Sequence, residues 1–141
     1  MGLTSTYEVQ TNLDGTTTMT NVDPAGRQTV TTEDAYGGGT ASYPDGTVVN
    51  TIMGPDPRFG MLAPVTSFMN VTTPGGLQYS LSEFRTANLS DPANPFSFTG
   101  LTDSVNVNGN TFTSSYDPST GMIADTLIYP KDRPFSYNHL I

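Results

Sequence analysis

The sequence predicts an all-β chain of antiparallel β-hairpin repeats, arranged as a sheet, a solenoid or a sandwich, with little or no helix. Three observations carry that expectation. The composition is the first: the 141 residues include 23 Thr, 12 Ser and 10 Asn, while charged residues make up 13%, about half the ~25% typical of soluble domains. Threonine is β-branched and suits a pleated surface. A helical bundle would need Ala, Glu, Lys and Leu, in which this chain is poor. Punctuation is the second: the turn glycines Gly15, Gly26, Gly37 and Gly46 lie 11, 11 and 9 residues apart, the spacing of short strands joined by tight turns. Alternation is the third: between those turns Thr alternates with Val, Met or Ile, as half-buried strands do.

Disorder is the competing expectation. Leu, Ile, Val and Phe number 29, near the ~20% boundary below which a charged chain stays unfolded. Fourteen aromatics, 7 Tyr and 7 Phe, argue for folding because each buries a large area. The length suits one domain, residues 1–141, and no composition shift divides it.

The elements follow in chain order. Leu13-Asp14-Gly15-Thr16, Asp23-Pro24-Ala25-Gly26-Arg27, Ala35-Tyr36-Gly37-Gly38 and Tyr43-Pro44-Asp45-Gly46-Thr47 are turns, because Asp-Gly and Gly-Gly supply the positive φ that hairpins need. Strands are expected over 16–22, 28–32 and 47–53. Three prolines between 54 and 64 argue against a central strand, so an ordered loop packing Phe59, Met61 and Leu62 is expected there. A strand over 65–73 and a turn at Thr73-Pro74-Gly75-Gly76-Leu77 come next. Residues 77–89 fit either a helix, with Ser80 and Glu83 as a capping box, or a strand with Leu77, Tyr79, Leu81, Ala87 and Leu89 on one face; the strand matches more positions. Asp91-Pro92-Ala93-Asn94-Pro95 reads as a loop. Strands over 96–99, 103–107 and 111–116 surround Asn108-Gly109, the strongest hairpin signal in the chain. A turn at 116–121 precedes a last strand over 122–129, and Phe135, Tyr137, Leu140 and Ile141 suggest a docked tail.

Several function classes lose their chemistry at this stage. No apolar run of ~18 residues exists, so no segment spans a membrane as a helix. Without cysteine there is no disulfide framework, thiolate metal site or catalytic thiol. A net charge of -8 with only five Lys and Arg repels a polyanion, so nucleic acid is not expected as a partner. The start, Met1-Gly2-Leu3-Thr4-Ser5-Thr6, has no basic or apolar region and is no signal peptide. Its fit to a myristoylation pattern through Thr6 is weaker than the reading of a chain start or a piece of a longer chain.

A hydrolytic site needs a positioned base, and His139 is the only histidine, so a serine triad has no other candidate. Zinc lacks ligands. Asp14, Asp23, Asp45 and Asp117 sit beside Gly or Pro, where an aspartate caps a turn, and no Asp-rich calcium loop is present. Gly37-Gly38-Gly39 lacks the rest of a phosphate loop. Arg27, Arg58 and Arg85 are expected in surface or inter-strand ion pairs. Asn70-Val71-Thr72 and Asn88-Leu89-Ser90 fit the glycosylation sequon. The expectation is a non-enzyme with no catalytic, cofactor-binding or metal residues and no cofactor.

The turns also resemble those of a known family. Val22-Asp23-Pro24-Ala25-Gly26-Arg27-Gln28, Tyr43-Pro44-Asp45-Gly46-Thr47 and Tyr116-Asp117-Pro118-Ser119-Thr120-Gly121 resemble the repeat unit of RHS/YD-repeat proteins, as do Gly54-Pro55-Asp56-Pro57-Arg58-Phe59-Gly60-Met61 and Val71-Thr72-Thr73-Pro74-Gly75-Gly76-Leu77. The resemblance spans residues 10 to 130. Only Tyr116-Asp117 keeps the Tyr-Asp pair, and Asp23 lacks its Tyr. The resemblance implies hairpins that coil into a YD-shell-like wall enclosing a toxin or other cargo in bacterial secreted proteins. The Gly-Leu continuation of that family's self-cleaving motif is missing after Asp117-Pro118, so autoproteolysis does not carry over. A closed cage needs more chain than this, which leaves a shell fragment or a short chain that assembles with its own copies.

The functional expectation is therefore a structural β scaffold, extracellular or at the cell surface. It would form the wall of a secreted shell or a self-assembling fibre subunit. Its partners would be other copies of itself or further RHS repeats through exposed strand edges. The alternative is a carbohydrate- or receptor-binding β module with Tyr36, Tyr43, Tyr79 and Phe59 as stacking faces for glycans.

Overall fold

A computed structural model describes residues 3–128 and 139–140. They contain strands and no helix. The strands are β1 (Thr6–Thr11), β2 (Thr17–Val22), β3 (Gln28–Glu33), β4 (Gly39–Ser42), β5 (Val48–Asp56), β6 (Gly60–Thr72), β7 (Gln78–Leu89), β8 (Phe98–Val107), β9 (Asn110–Asp117), β10 (Met122–Ile128) and β11 (His139–Leu140). Each strand is hydrogen-bonded to its neighbours in sequence, in the order β1 to β11. The fold is all-β and antiparallel, as expected. By proximity the chain forms two compact units. One holds the described residues up to Met53 together with Phe68–Tyr79; the other holds Gly54–Ser67 and the described residues from Ser80 onward.

The first unit is built by one turn used five times. In the turns opening at Asn12, Asp23, Asp34, Tyr43 and Thr73, the opening N–H donates to the carbonyl four residues on, at 2.7–3.0 Å. The glycine three residues on returns a bond to the opening carbonyl, at 2.9–3.2 Å. Those glycines, Gly15, Gly26, Gly37, Gly46 and Gly76, have φ between 80° and 88°. This is the three-residue hairpin loop with a glycine bulge, whose backbone only glycine adopts without strain. The bulge leaves the N–H of the residue after glycine outside the ladder. In every case a side-chain oxygen receives it: Asp14 Oδ1 from Thr16 at 3.0 Å, Asp23 Oδ1 from Arg27 at 3.0 Å, Asp34 Oδ1 from Gly38 at 3.0 Å, Asp45 Oδ1 from Thr47 at 2.9 Å, and Thr73 Oγ1 from Leu77 at 3.1 Å. The cap comes from the first or the third residue of the turn, so the sequences look unlike while the geometry repeats.

Register then sorts the side chains. One row runs Val9–Met19–Thr31–Ala41–Val49 across β1 to β5. The opposite face carries Gln10–Thr18–Thr32–Thr40–Asn50. There the Thr18 and Thr32 hydroxyls bond at 3.1 Å, and Thr40 donates to Asn50 at 2.8 Å. Cross-strand pairs of this kind contribute about 0.2–1 kcal/mol each.

In the second unit β7 divides its faces sharply. Leu81, Glu83, Arg85 and Ala87 on β7 are half-buried, while Ser82, Phe84, Thr86 and Asn88 between them are exposed. The same side continues through Val105 to Phe112 and through Leu101 to Tyr116 and Ile123, where Phe112 and Ile123 are exposed. The other side is a ladder of hydroxyls and amides: Thr102 with Ser115, Ser104 with Thr113, and Asn106 with Thr111. Asn108 and Gly109, with φ of 49° and 87°, form the two-residue type I′ hairpin that their sequence specifies.

Three expectations change. The 54–64 loop is strand at both ends: β5 runs through Pro55 to Asp56, and β6 begins at Gly60 and contains Pro64. A proline removes one donor, and long strands absorb that loss where a short one would end. Strands β1 and β4 lie where the sequence reading assigned none. The strands expected over 96–99 and 103–107 are one continuous strand, β8, while the favoured strand reading of 77–89 is borne out as β7. Of the expected docked tail, His139 and Leu140 pair with Asp125 and Ala124 through the backbone; Phe135, Tyr137 and Ile141 lie outside the described residues.

Among the described residues no hydrophobic side chain is buried. The buried positions are Gly38, Gly54 and Asp56. Most domains close a core between two layers; here each unit leaves apolar side chains accessible, with Val9 54%, Ile52 57% and Ile123 47% exposed.

Candidate functional site

The most organised side-chain cluster lies in the second unit, around the one buried charged group among the described residues. Asp56, at the end of β5, is 3% exposed. Its Oδ1 accepts the Arg58 backbone N–H at 2.8 Å and that of Phe59 at 3.3 Å, because the tight turn into β6 folds those amides back over the carboxylate. Arg58 Nε lies 3.4 Å from the same oxygen, and Arg85 on β7 reaches Oδ2 at 3.4 Å. Arg85 is itself forked onto Asp103, its cross-strand partner on β8, with Glu83 at 3.5 Å. The Arg58 guanidinium stacks 4.9 Å from the Phe59 ring centre and 5.3 Å from that of Phe98. Phe59 meets Phe96 edge-on at 5.7 Å, and Phe98 lies 6.1 Å from Tyr116.

The electrostatics favour the ionised pair. Burial pushes the Asp56 carboxyl up, but the Arg58 backbone and side-chain bonds, the Arg58 charge and the Arg85 bond outweigh it and hold it below its ordinary value. The hydrogen bond to Asp103 raises Arg85, against a smaller lowering by burial. A carboxylate satisfied on both oxygens and held ionised has little capacity to take up a proton near neutrality, which general base catalysis requires. The arrangement clamps β5, β7 and β8 together.

The other sequence-picked residues stay apart from this cluster. Asp14, Asp23, Asp45 and Asp117 bind turn amides, and those bonds lower each carboxyl: the Thr16 backbone N–H for Asp14, that of Arg27 for Asp23, that of Thr47 for Asp45, and the Ser119 hydroxyl for Asp117. Among the described residues no three acidic or histidine side chains gather where a metal could sit. His139 is placed only by its backbone pairing with Asp125. Arg27 pairs with Asp23 within its turn at 2.7 Å, so the three arginines expected in ion pairs are in them.

The aromatics proposed as stacking faces lie on separate elements, with Tyr36, Tyr43 and Tyr79 exposed. Tyr36 and Tyr43 stand in turns at opposite ends of β4, and Tyr79 is the second residue of β7. Phe59 packs in the Asp56 cluster. Tyr43 does line an open groove of about 740 Å³ with Arg27, Pro44, Asp45, Thr47 and Val49. Sequence reasoning missed the Asp56 cluster because Asp56 and Arg85 are 29 residues apart; Pro-Asp-Pro reads locally as a loop.

No protein-family model matches this chain, and no curated protein matches it.

Proposed function

We propose that the chain is a non-enzymatic structural β scaffold, an RHS/YD-like repeat segment that forms part of a secreted shell wall or a self-assembling extracellular fibre. One observation carries the reading: among the described residues, strands follow one another by a repeated turn and bury no hydrophobic side chain. A repeat unit cannot close a core alone and gains its stability from neighbours stacked or paired on it. Its order and rigidity come from turn caps, cross-strand rows and the Asp56 clamp, all of which extend a wall rather than enclose a ligand. Its partners are further hairpins, in other copies or in additional repeats.

Light scattering with negative-stain imaging of one sample tests this. The scaffold reading expects assemblies that are multiples of the 15.0 kDa chain, with extended sheet-like or fibrous outlines. A particle that stays at 15.0 kDa at every concentration would overturn it, and glycan binding through the Tyr43 groove would then favour a binding module.

A further inference from the structure

Resting on the scaffold reading, we propose that β1 joins two copies of this chain through an antiparallel β1–β1 ladder centred on Val9. Among the described residues β1 pairs on one side only, with β2, whereas β10 carries both β9 and β11. Every residue of β1 is exposed.

The backbone dictates which groups are free. Asn12 donates its N–H to Thr16, so by the alternation of an antiparallel ladder Gln10, Glu8 and Thr6 also turn their amides toward β2. Tyr7, Val9 and Thr11 turn theirs to the open edge. A second β1 placed antiparallel by a two-fold axis normal to the sheet can bond only these residues, and each must face a residue on its own side of the sheet. Two registers then pair five residues of β1. Centred on Glu8, the ladder sets the two Glu8 carboxylates directly opposite, in a chain that already carries -8. Like charges at that position repel. Centred on Val9, it pairs Val9 with Val9, Tyr7 with Thr11 and Glu8 with Gln10. The second register has no charge conflict, and Glu8 faces an amide that can donate to it.

Side chains support the same choice. Val9 is 54% exposed and sits beside Met19. The Val9-centred ladder therefore makes an apolar row of Met19, Val9, Val9 and Met19 across the seam. Such a contact is isologous, so it closes at two copies and leaves longer assemblies to other surfaces.

The chain has no cysteine, which makes single-cysteine cross-linking unambiguous. The Val9 pair would bring Cα atoms to about 5.5 Å, within disulfide reach. Under mild oxidation Val9→Cys is expected to form covalent dimer at least about tenfold faster than Tyr7→Cys, which keeps Glu8; equal or reversed rates would overturn the register. Gln10→Lys should tighten the dimer about fivefold at low salt and Gln10→Glu should weaken it, because each faces Glu8 twice. Val9→Pro removes an outward N–H and spares those facing β2, so it should abolish the dimer while circular dichroism stays that of a folded β protein. If Val9→Pro still dimerises like the parent, another surface joins the copies and this proposal fails while the scaffold reading stands. If the parent never assembles, both fail.

Discussion

Asp56 gives the second unit a buried charge where no hydrophobic side chain among the described residues is buried. It is 3% exposed among side chains that are otherwise half-buried or open, and it ties a turn to two arginines at 3.4 Å. Removing one member of a buried charged network leaves its partners unpaired. Asp56→Asn should therefore destabilise the protein by on the order of 2–4 kcal/mol, read by urea unfolding. The same residue contributes to acid sensitivity. Its folded carboxyl lies below its ordinary value, so its contribution is complete above the unfolded pKa of about 3.9. That contribution is lost as pH falls through the lower folded value. Asp14, Asp23, Asp45 and Asp117 share that direction. Asp56→Asn should thus shallow, without removing, the loss of stability below about pH 4, measured as unfolding midpoints across an acid series.

At the scale of the element, the hairpin turn is the repeating object. Gly26, at φ 80° with nothing within 4 Å of where a side-chain methyl would stand, isolates the backbone requirement from packing. Gly26→Ala should cost about 1–2 kcal/mol from the left-handed conformation alone, whereas alanine at Thr20 or Gln28 on the flanking strands should cost less. Thermal unfolding of the three variants checks the ranking. These turns were legible in sequence because Asp-Gly, Pro-Asp-Gly and Asn-Gly encode φ and a cap within five residues. The strands between them were less so. β4 has four residues, Gly-Thr-Ala-Ser, with no hydrophobic signal, and it is a strand because two capped turns leave it no other path. The 54–64 segment was misread because three prolines outweighed everything local, while what holds Asp56 comes in part from β7. The Asp56 cluster was legible only in its parts: the arginines were recognised as ion-pairing, but no local pattern names a partner 29 residues away.

The whole molecule carries an energetic signature. Unfolding normally raises heat capacity by about 12–15 cal/mol/K per residue, chiefly through newly exposed apolar area. Without a buried hydrophobic side chain among the described residues, dilute unassembled chain should fall clearly below that range in scanning calorimetry. The value should rise under conditions that favour assembly, as the joined surfaces bury area. A normal value in dilute monomer would mean that a dry core exists after all.

The most direct test of the account is amide hydrogen exchange along β1 across a dilution series. On the proposed β1–β1 ladder, register and turns order each copy and the open edge joins copies. In dilute solution it predicts alternation, with the Glu8 and Gln10 amides slow because they face β2, and those of Tyr7, Val9 and Thr11 fast. With rising concentration the fast set should slow, in step with the increase in assembled mass. Uniform exchange along β1 at every concentration, or protection of Tyr7, Val9 and Thr11 that dilution does not remove, would contradict it.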